Sequence, residues 1–288
     1  MATKTHKSQN TKARVKEIII TIFIYLLLIA LSLIVLLPIV WIVGSSFNSG
    51  STLGSATMIP ENPTLRHYVA LFRDTNYLRW YWNTFMIAVI HTILSILLST
   101  SMGYIFSRFV FKGKKVALIA MLVLQMFPSF MSMMALYILF LNFGLLDTHF
   151  ALILVYSAAQ IPVNTWLIKG YLTSIPKELD ESAMLDGATK LQTFTRIIFP
   201  LIKPIVSFVG VTAFITPWMD FIFPRLIISS DANQTLAVGL FNMIVGQETN
   251  DYTMFAAGAV LVALPITILY VAMQKFLISG ITAGASKG

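Results

Sequence analysis

Six apolar stretches, each close to the length that crosses a lipid bilayer, constrain this chain more than any other feature. A spanning helix needs about 20 apolar residues. The stretches run over 18–43 (with Pro38 inside), 84–107, 115–141 (interrupted by Pro128), 149–170, 204–228 and 254–278. Hydrophobic residues make up 57% of the 288 and charged ones only 11%. A soluble domain is about a quarter charged, so these charges are too few to solvate a globule, and a disordered chain needs the opposite balance. The expected fold is all-α and polytopic, with six transmembrane helices. A basic leader precedes the first stretch, yet its 26 residues exceed the roughly 7–15 of a signal peptide's apolar core. It is read as a retained span.

The formal net charge is +8. Sixteen lysines and arginines fall in the N-terminal arm, in the connections after the second and fourth spans with their flanks, and at the C-terminal end. The other side holds four: Arg66, Arg73, Arg79 and Arg225. Positive charge collects on the cytoplasmic side, so both termini are expected there. The excess is a topology signal and an attraction to anionic lipid of the bilayer; no nucleic-acid partner is needed to explain it. The expected organisation is a cytoplasmic arm over 1–17, a six-helix transmembrane domain over 18–278 and a cytoplasmic tail over 279–288.

Two long connections are expected outside. Residues 44–83 end in Trp80, Tyr81 and Trp82, which read as an interfacial aromatic belt. Residues 229–253 carry Asp231, Glu248 and Asp251 and are read as a polar loop, either plain connection or a docking surface.

The cytoplasmic connection 171–203 is ordered sequence. Pro176 suits a first helical turn, and Glu178, Asp180 and Glu181 follow where the helix dipole favours anions. Gly187 interrupts this helix as a residue free to take positive φ. Thr189 and Gln192 match a capping box that starts a second helix. Leu191, Phe194, Ile198 and Leu201 recur at helical spacing and make one apolar face. Two short helices with a glycine corner are expected, with the acidic cluster pointing away from the apolar face. Such a unit either lies on the membrane as an amphipathic elbow or acts as a stiff lever that passes a push from a partner into the spans.

Polar groups at membrane depth are few. Ser207, Gly210, Ala213, Pro217, Asp220 and Pro224 form a small-and-polar stripe on the fifth span. Asp220 is the one carboxylate placed inside a span. It is either a structural acceptor paired with Arg225 or a pathway residue. Pro128 removes the backbone bond to Leu124 and should kink the third span just beyond Gln125; broken helices often mark solute routes in transporters. Met126, Met131, Met133 and Met134 nearby read as flexible packing. His91 and Asn164 are interhelical hydrogen-bonding groups or solute contacts. Gln125, Asn164 and Asp220 are therefore the candidate solute pathway. No catalytic constellation is evident. The four histidines lack metal-like spacing, there is no cysteine, and Gly113-Lys114 is followed by Lys115, which is not a P-loop. An intramembrane enzyme would need a second reacting group matched to Asp220, and a passive pore would need no lever. No metal or cofactor is expected on this chain.

Glu181-Ser182-Ala183, Asp186-Gly187-Ala188, Phe194, Ile197, Pro200 and Pro204 resemble the EAA coupling loop of binding-protein-dependent ABC importer permeases. The family pattern is roughly E-A-A-x-x-D-G-A, then F-x-x-I-x-x-P-x-x-x-P, with Ser182 standing here for the middle alanine. Gln125-Met126-Phe127-Pro128, Trp166-Leu167-Ile168-Lys169-Gly170-Tyr171 and the ending 280–288 are similar to the maltose/maltodextrin branch, from which Ile281, Ala285 and Ser286 depart. The resemblance implies a type I importer permease fold in a bacterial cytoplasmic membrane. It implies half of a translocation pathway for a maltodextrin-type sugar, or for another oligosaccharide or sugar derivative. The implied partners are a second permease subunit, two copies of a cytoplasmic ATPase that carry the ATP and Mg, and an extracytoplasmic solute-binding protein. Glu181 would touch the ATPase and Gly187 would allow the bend, with Ser182, Ala183, Asp186, Ala188 and Pro200 completing the loop. Gly284, Ala285, Ser286, Lys287 and Gly288 would reach between the ATPase subunits. By position alone, 229–253 matches the outer segment that enters the binding protein.

Overall fold

The computed structural model describes residues 3–52, 57–245 and 251–285, with side chains between Lys16 and Phe276 except Ser129. Every regular element among them is helical. Four helices are long and apolar enough to cross a membrane: α1 (Thr3–Ser46), α3 (Tyr77–Arg108), α6 (His149–Leu172) and α13 (Tyr252–Ala285). The short helix α2 (Arg66–Asp74) lies between the first two. Two further candidates are bent pairs. Helices α4 (Lys114–Gln125) and α5 (Ser129–Asn142) meet at 100°, and the segment Lys190–Leu201 meets α10 (Lys203–Met219) at 79°. Counting each pair as one span gives up to six by length and composition.

Helix α3 is the spine of the bundle, packed on α6, α10 and α12 (Leu236–Val245). Three apolar clusters lie along it. Leu71, Trp80, Trp218 and Leu236 gather at its start, and Ile87, Leu152, Tyr156 and Phe223 at its middle. Tyr104, Ile168, Ile198 and Val209 gather at its end. Gly103 lets α6 approach closely, since a Cβ there would lie 2.6 Å from the Ile168 side chain. Helix α1 is different. Its apolar side chains are exposed on all sides along most of its length. A helix apolar all round requires lipid or another apolar surface as its surroundings.

Helix α1 runs unbroken from Thr3 through Pro38, so the expected arm is helical from Thr3 onward. Helix α13 likewise continues through the start of the expected tail at 279. The third stretch breaks at the expected proline and bends there by 100°. Met126 to Pro128 leave the helix, because proline lacks a donor and disfavours helical backbone at the residue before it. The fifth stretch stops at Met219 and resumes as α11 (Ile222–Ile227), so Asp220 lies in a break.

The aromatic belt reduces to Trp82, which is exposed. Trp80 is buried against Gly239, where a Cβ would lie 2.2 Å from its ring, and Tyr81 packs edge-on against Trp218 at 5.1 Å. The segment 229–253 is not a polar loop, since α12 is apolar and buries Leu236, Val238 and Leu240. Glu248 lies outside the described residues.

Candidate functional site

Two places carry the polar groups singled out by sequence. The first is the elbow after α6. Helix α7 (Glu178–Leu185) ends at Gly187, whose φ of 84° turns the chain into α8 (Lys190–Thr193). The capping box forms fully. The Gln192 side chain accepts from the Thr189 backbone N–H at 2.8 Å, and the Thr189 hydroxyl accepts from the Gln192 N–H at 3.3 Å. A π-helical turn (Phe194–Ile198) and the short α9 (Phe199–Leu201) lead into α10. Glu181, Ser182, Asp186, Gly187 and Pro200 are exposed, Ala188 is half-buried and Ala183 is buried. Leu185 is 89% exposed, with Leu179 and Met184 also outward. The elbow thus presents an apolar knob beside the Glu181 carboxylate.

The apolar face differs from the one read by helical spacing. Thr193, Ile198 and Ile202 are buried, whereas Leu191 and Leu201 are exposed. The π turn widens the helix by a residue and shifts the register.

The acidic cluster does not all point away either. Glu178 and Glu181 do, but Asp180 is only 6% exposed. Its Oδ1 accepts from the Tyr104 hydroxyl at 3.0 Å. Its Oδ2 lies 2.9 Å from Arg108 Nε, a separation set by charge because the N–H is not aligned for a hydrogen bond. Arg108 Nη2 donates to the Ile175 carbonyl at 3.0 Å. Arg108 and the Tyr104 hydroxyl together hold Asp180 inward.

The second place is a cavity of about 620 Å³ between α5, α6 and the α10–α11 break. Gln125, Tyr156, Thr216 and Asp220 line it beside Phe127 and Phe223. Gln125 Nε2 donates to the Ala159 carbonyl at 3.3 Å. Asp220 Oδ2 accepts from the Tyr156 hydroxyl at 2.9 Å, and its Oδ1 accepts the backbone N–H groups of Ile222 and Phe223 at 3.0 and 3.3 Å. No ion pair joins Asp220 to Arg225 among the described residues. Asn164 is not in the cavity lining. It is buried and donates along its own helix to Gln160 at 3.4 Å, while Gln160 makes the bond across to Thr216 at 2.8 Å. His91 does bond between helices, to Ser157 at 3.1 Å.

Tyr104, Arg108, Tyr156, Gln160 and Thr216 were not singled out by sequence. The available signal was the four-residue spacing of Tyr104 and Arg108, which places both on one face at a span's end. Of the tail, Gly284 and Ala285 end α13, and Ser286, Lys287 and Gly288 lie outside the described residues.

Residues 95–282, which hold both the elbow and the cavity, match the binding-protein-dependent transport system inner membrane component family. The chain belongs to that family. This permease is 42% identical over 278 residues to the galactooligosaccharides transport system permease protein GanQ of Bacillus subtilis, covering 96% of this chain and 98% of that one. It is 38% identical over 264 residues to the maltodextrin transport system permease protein MdxG of the same organism, covering 92% and 95%. In fold it is similar to a chain of a bacterial ABC transporter involved in import of the acidic polysaccharide alginate. That likeness has a TM-score of 0.80 and 23% identity, and covers 91% of the permease and 98% of that chain. The chain is a permease of an ABC sugar importer.

Proposed function

We propose that this permease forms half of the translocation pathway of an oligosaccharide importer in a bacterial cytoplasmic membrane, spanning it six times with both termini in the cytoplasm. The observation that carries the reading is the elbow. A rigid capped corner holds Glu181 and an apolar knob outward, and leads directly into α10. Glu181 contacts a cytoplasmic ATPase, present in two copies that bind the ATP and Mg. A second permease completes the pathway, and an extracytoplasmic binding protein delivers the solute. ATP-driven closure of the ATPases moves the elbow, and net import requires that the ATP state prefer the outward-facing arrangement. The cavity with Gln125 and Asp220 lies along the solute route, and the tail residues from Gly284 onward lie against the ATPases. The relatives named for galactooligosaccharides and maltodextrin support a neutral oligosaccharide as solute.

The test is purification of the permease from native membranes. An ATPase and a second permease should co-purify. In proteoliposomes, the binding protein loaded with maltotriose or a galactooligosaccharide should stimulate ATP hydrolysis. Absence of an ATPase from the purified complex would sink the reading; stimulation by one sugar alone would fix the solute.

A further inference from the structure

We propose that Asp180, held by Arg108 and Tyr104, is the positioning residue that ties the elbow to α3, so that elbow and α3 move as one body. The proposal rests on the coupling role given to the elbow above. The elbow is linked covalently to α6 and α10, and α3 is the helix that packs on both of these and on α12. The Asp180 pair is the polar bond between α7 and that spine. It joins residues 76 positions apart in the chain for Tyr104, and both charged side chains are less than a tenth exposed. Arg108 also holds the Ile175 carbonyl at the start of the elbow, and the Tyr104 ring lies 4.8 Å from that of Phe194 in the π turn. One helix end thus grips all three parts of the elbow.

Stability alone does not account for this arrangement. A buried ion pair replaced by well-packed apolar side chains is often equally or more stable. What an apolar replacement lacks is direction. A salt bridge with an added hydroxyl bond resists sliding of α7 along α3, whereas apolar contacts allow it. Glu181, the next residue, is exposed and lines the same pocket as Asp180, Arg108 and Tyr104. A push received at Glu181 therefore reaches α3 through the adjacent side chain.

The test uses the full complex in nanodiscs, with Asp180→Asn and the apolar pair Asp180→Leu/Arg108→Met. Both should assemble and keep basal ATP hydrolysis. Both should lose uptake and binding-protein stimulation by roughly tenfold, the scale of a coupling free energy between sites. Spin labels at the exposed Leu191 and Leu97 report what a merely structural role would not change. Their separation should stay fixed through the ATP cycle in the wild type and vary in the apolar pair. Wild-type uptake and stimulation in the apolar pair, or a separation that varies in the wild type, overturns the tie. Failure of both variants to assemble also overturns it, by marking the pair as a folding element. Glu181→Lys in the same preparation separates the two ideas. If it abolishes stimulation while the apolar pair does not, only the tie is wrong. If it too is fully stimulated, the coupling role of the elbow fails.

Discussion

Asp220 accepts three hydrogen bonds, two from the backbone of α11 and one from Tyr156, so both of its oxygens are committed to holding a break in the fold. Asp220→Asn keeps an acceptor for that backbone and is expected to retain assembly and uptake. Asp220→Ala removes the cap and should destabilise by about 0.5–2 kcal/mol, seen as a lower melting temperature in detergent. Abolished uptake in a fully assembled Asp220→Asn complex would instead make the charge part of the solute route. Asp147 is a second such residue. It holds a positive φ of 59° and accepts the N–H groups of Ser229 and Ser230 at 3.0 Å each. Desolvation pushes its carboxyl upward, but hydrogen bonds from Ser230, Ser229 and Asn233 outweigh that and hold its pKa below the ordinary value. A depressed folded pKa gives stability that is present above the unfolded value and lost as pH falls through the folded one. The melting-temperature gap between wild type and Asp147→Asn should therefore be widest near neutral pH and shrink below about pH 4. Neither commitment is visible in the sequence. An acidic residue shows where it stands but not which distant donor claims it, and Asp180, held inward by Arg108 and Tyr104, was misread for the same reason.

At the scale of elements, legibility followed the range of the interaction. The elbow's corner and cap are local devices, set by residues within a few positions of one another, and both were readable. Gly187 takes the positive φ because a side chain would be strained there, and Thr189 with Gln192 closes the capping box. Gly187→Val should insert normally, because nothing crowds the site, yet misdirect α8. Uptake and binding-protein stimulation of ATP hydrolysis should both fall to near background. Thr189→Ala removes one cap bond, worth about 0.5–2 kcal/mol, and should lower both readouts only partly. Equal effects from the two variants would mean that the corner's direction does not matter. The π turn was not readable, since a one-residue shift leaves apolar spacing almost unchanged while exposing Leu191 and Leu201. Helix α12 was missed because its ten residues fall short of a span and lie in a segment bounded by acidic residues. Its apolar face is explained by the surfaces of α3, with Trp80, and of α13 that it covers.

For the whole molecule, charge placement and helix packing constrain the same property by independent routes. Along α3, Asn83 donates to the Gln234 carbonyl at 2.9 Å and Thr84 accepts from the Leu236 N–H at 2.8 Å, near one end. Tyr104 and Arg108 hold the elbow at the other. At 1.5 Å per residue, the intervening helix is about 30 Å long, close to the hydrocarbon thickness of a bilayer. In the proposed six-span topology the segment before α12 and the elbow face opposite sides, and the sixteen-to-four distribution of lysine and arginine supports the elbow's side as the cytoplasmic one. The chain has no cysteine, so single introduced thiols report without background. Lys190→Cys should react with a membrane-impermeant maleimide only in inverted vesicles, and Asp231→Cys only in intact spheroplasts. Ser8→Cys should follow Lys190→Cys. Labelling of Lys190→Cys and Asp231→Cys from the same side would contradict the packing of α3 itself. Labelling from opposite sides in the reversed sense would leave the fold intact and overturn the orientation, removing the elbow from any cytoplasmic ATPase.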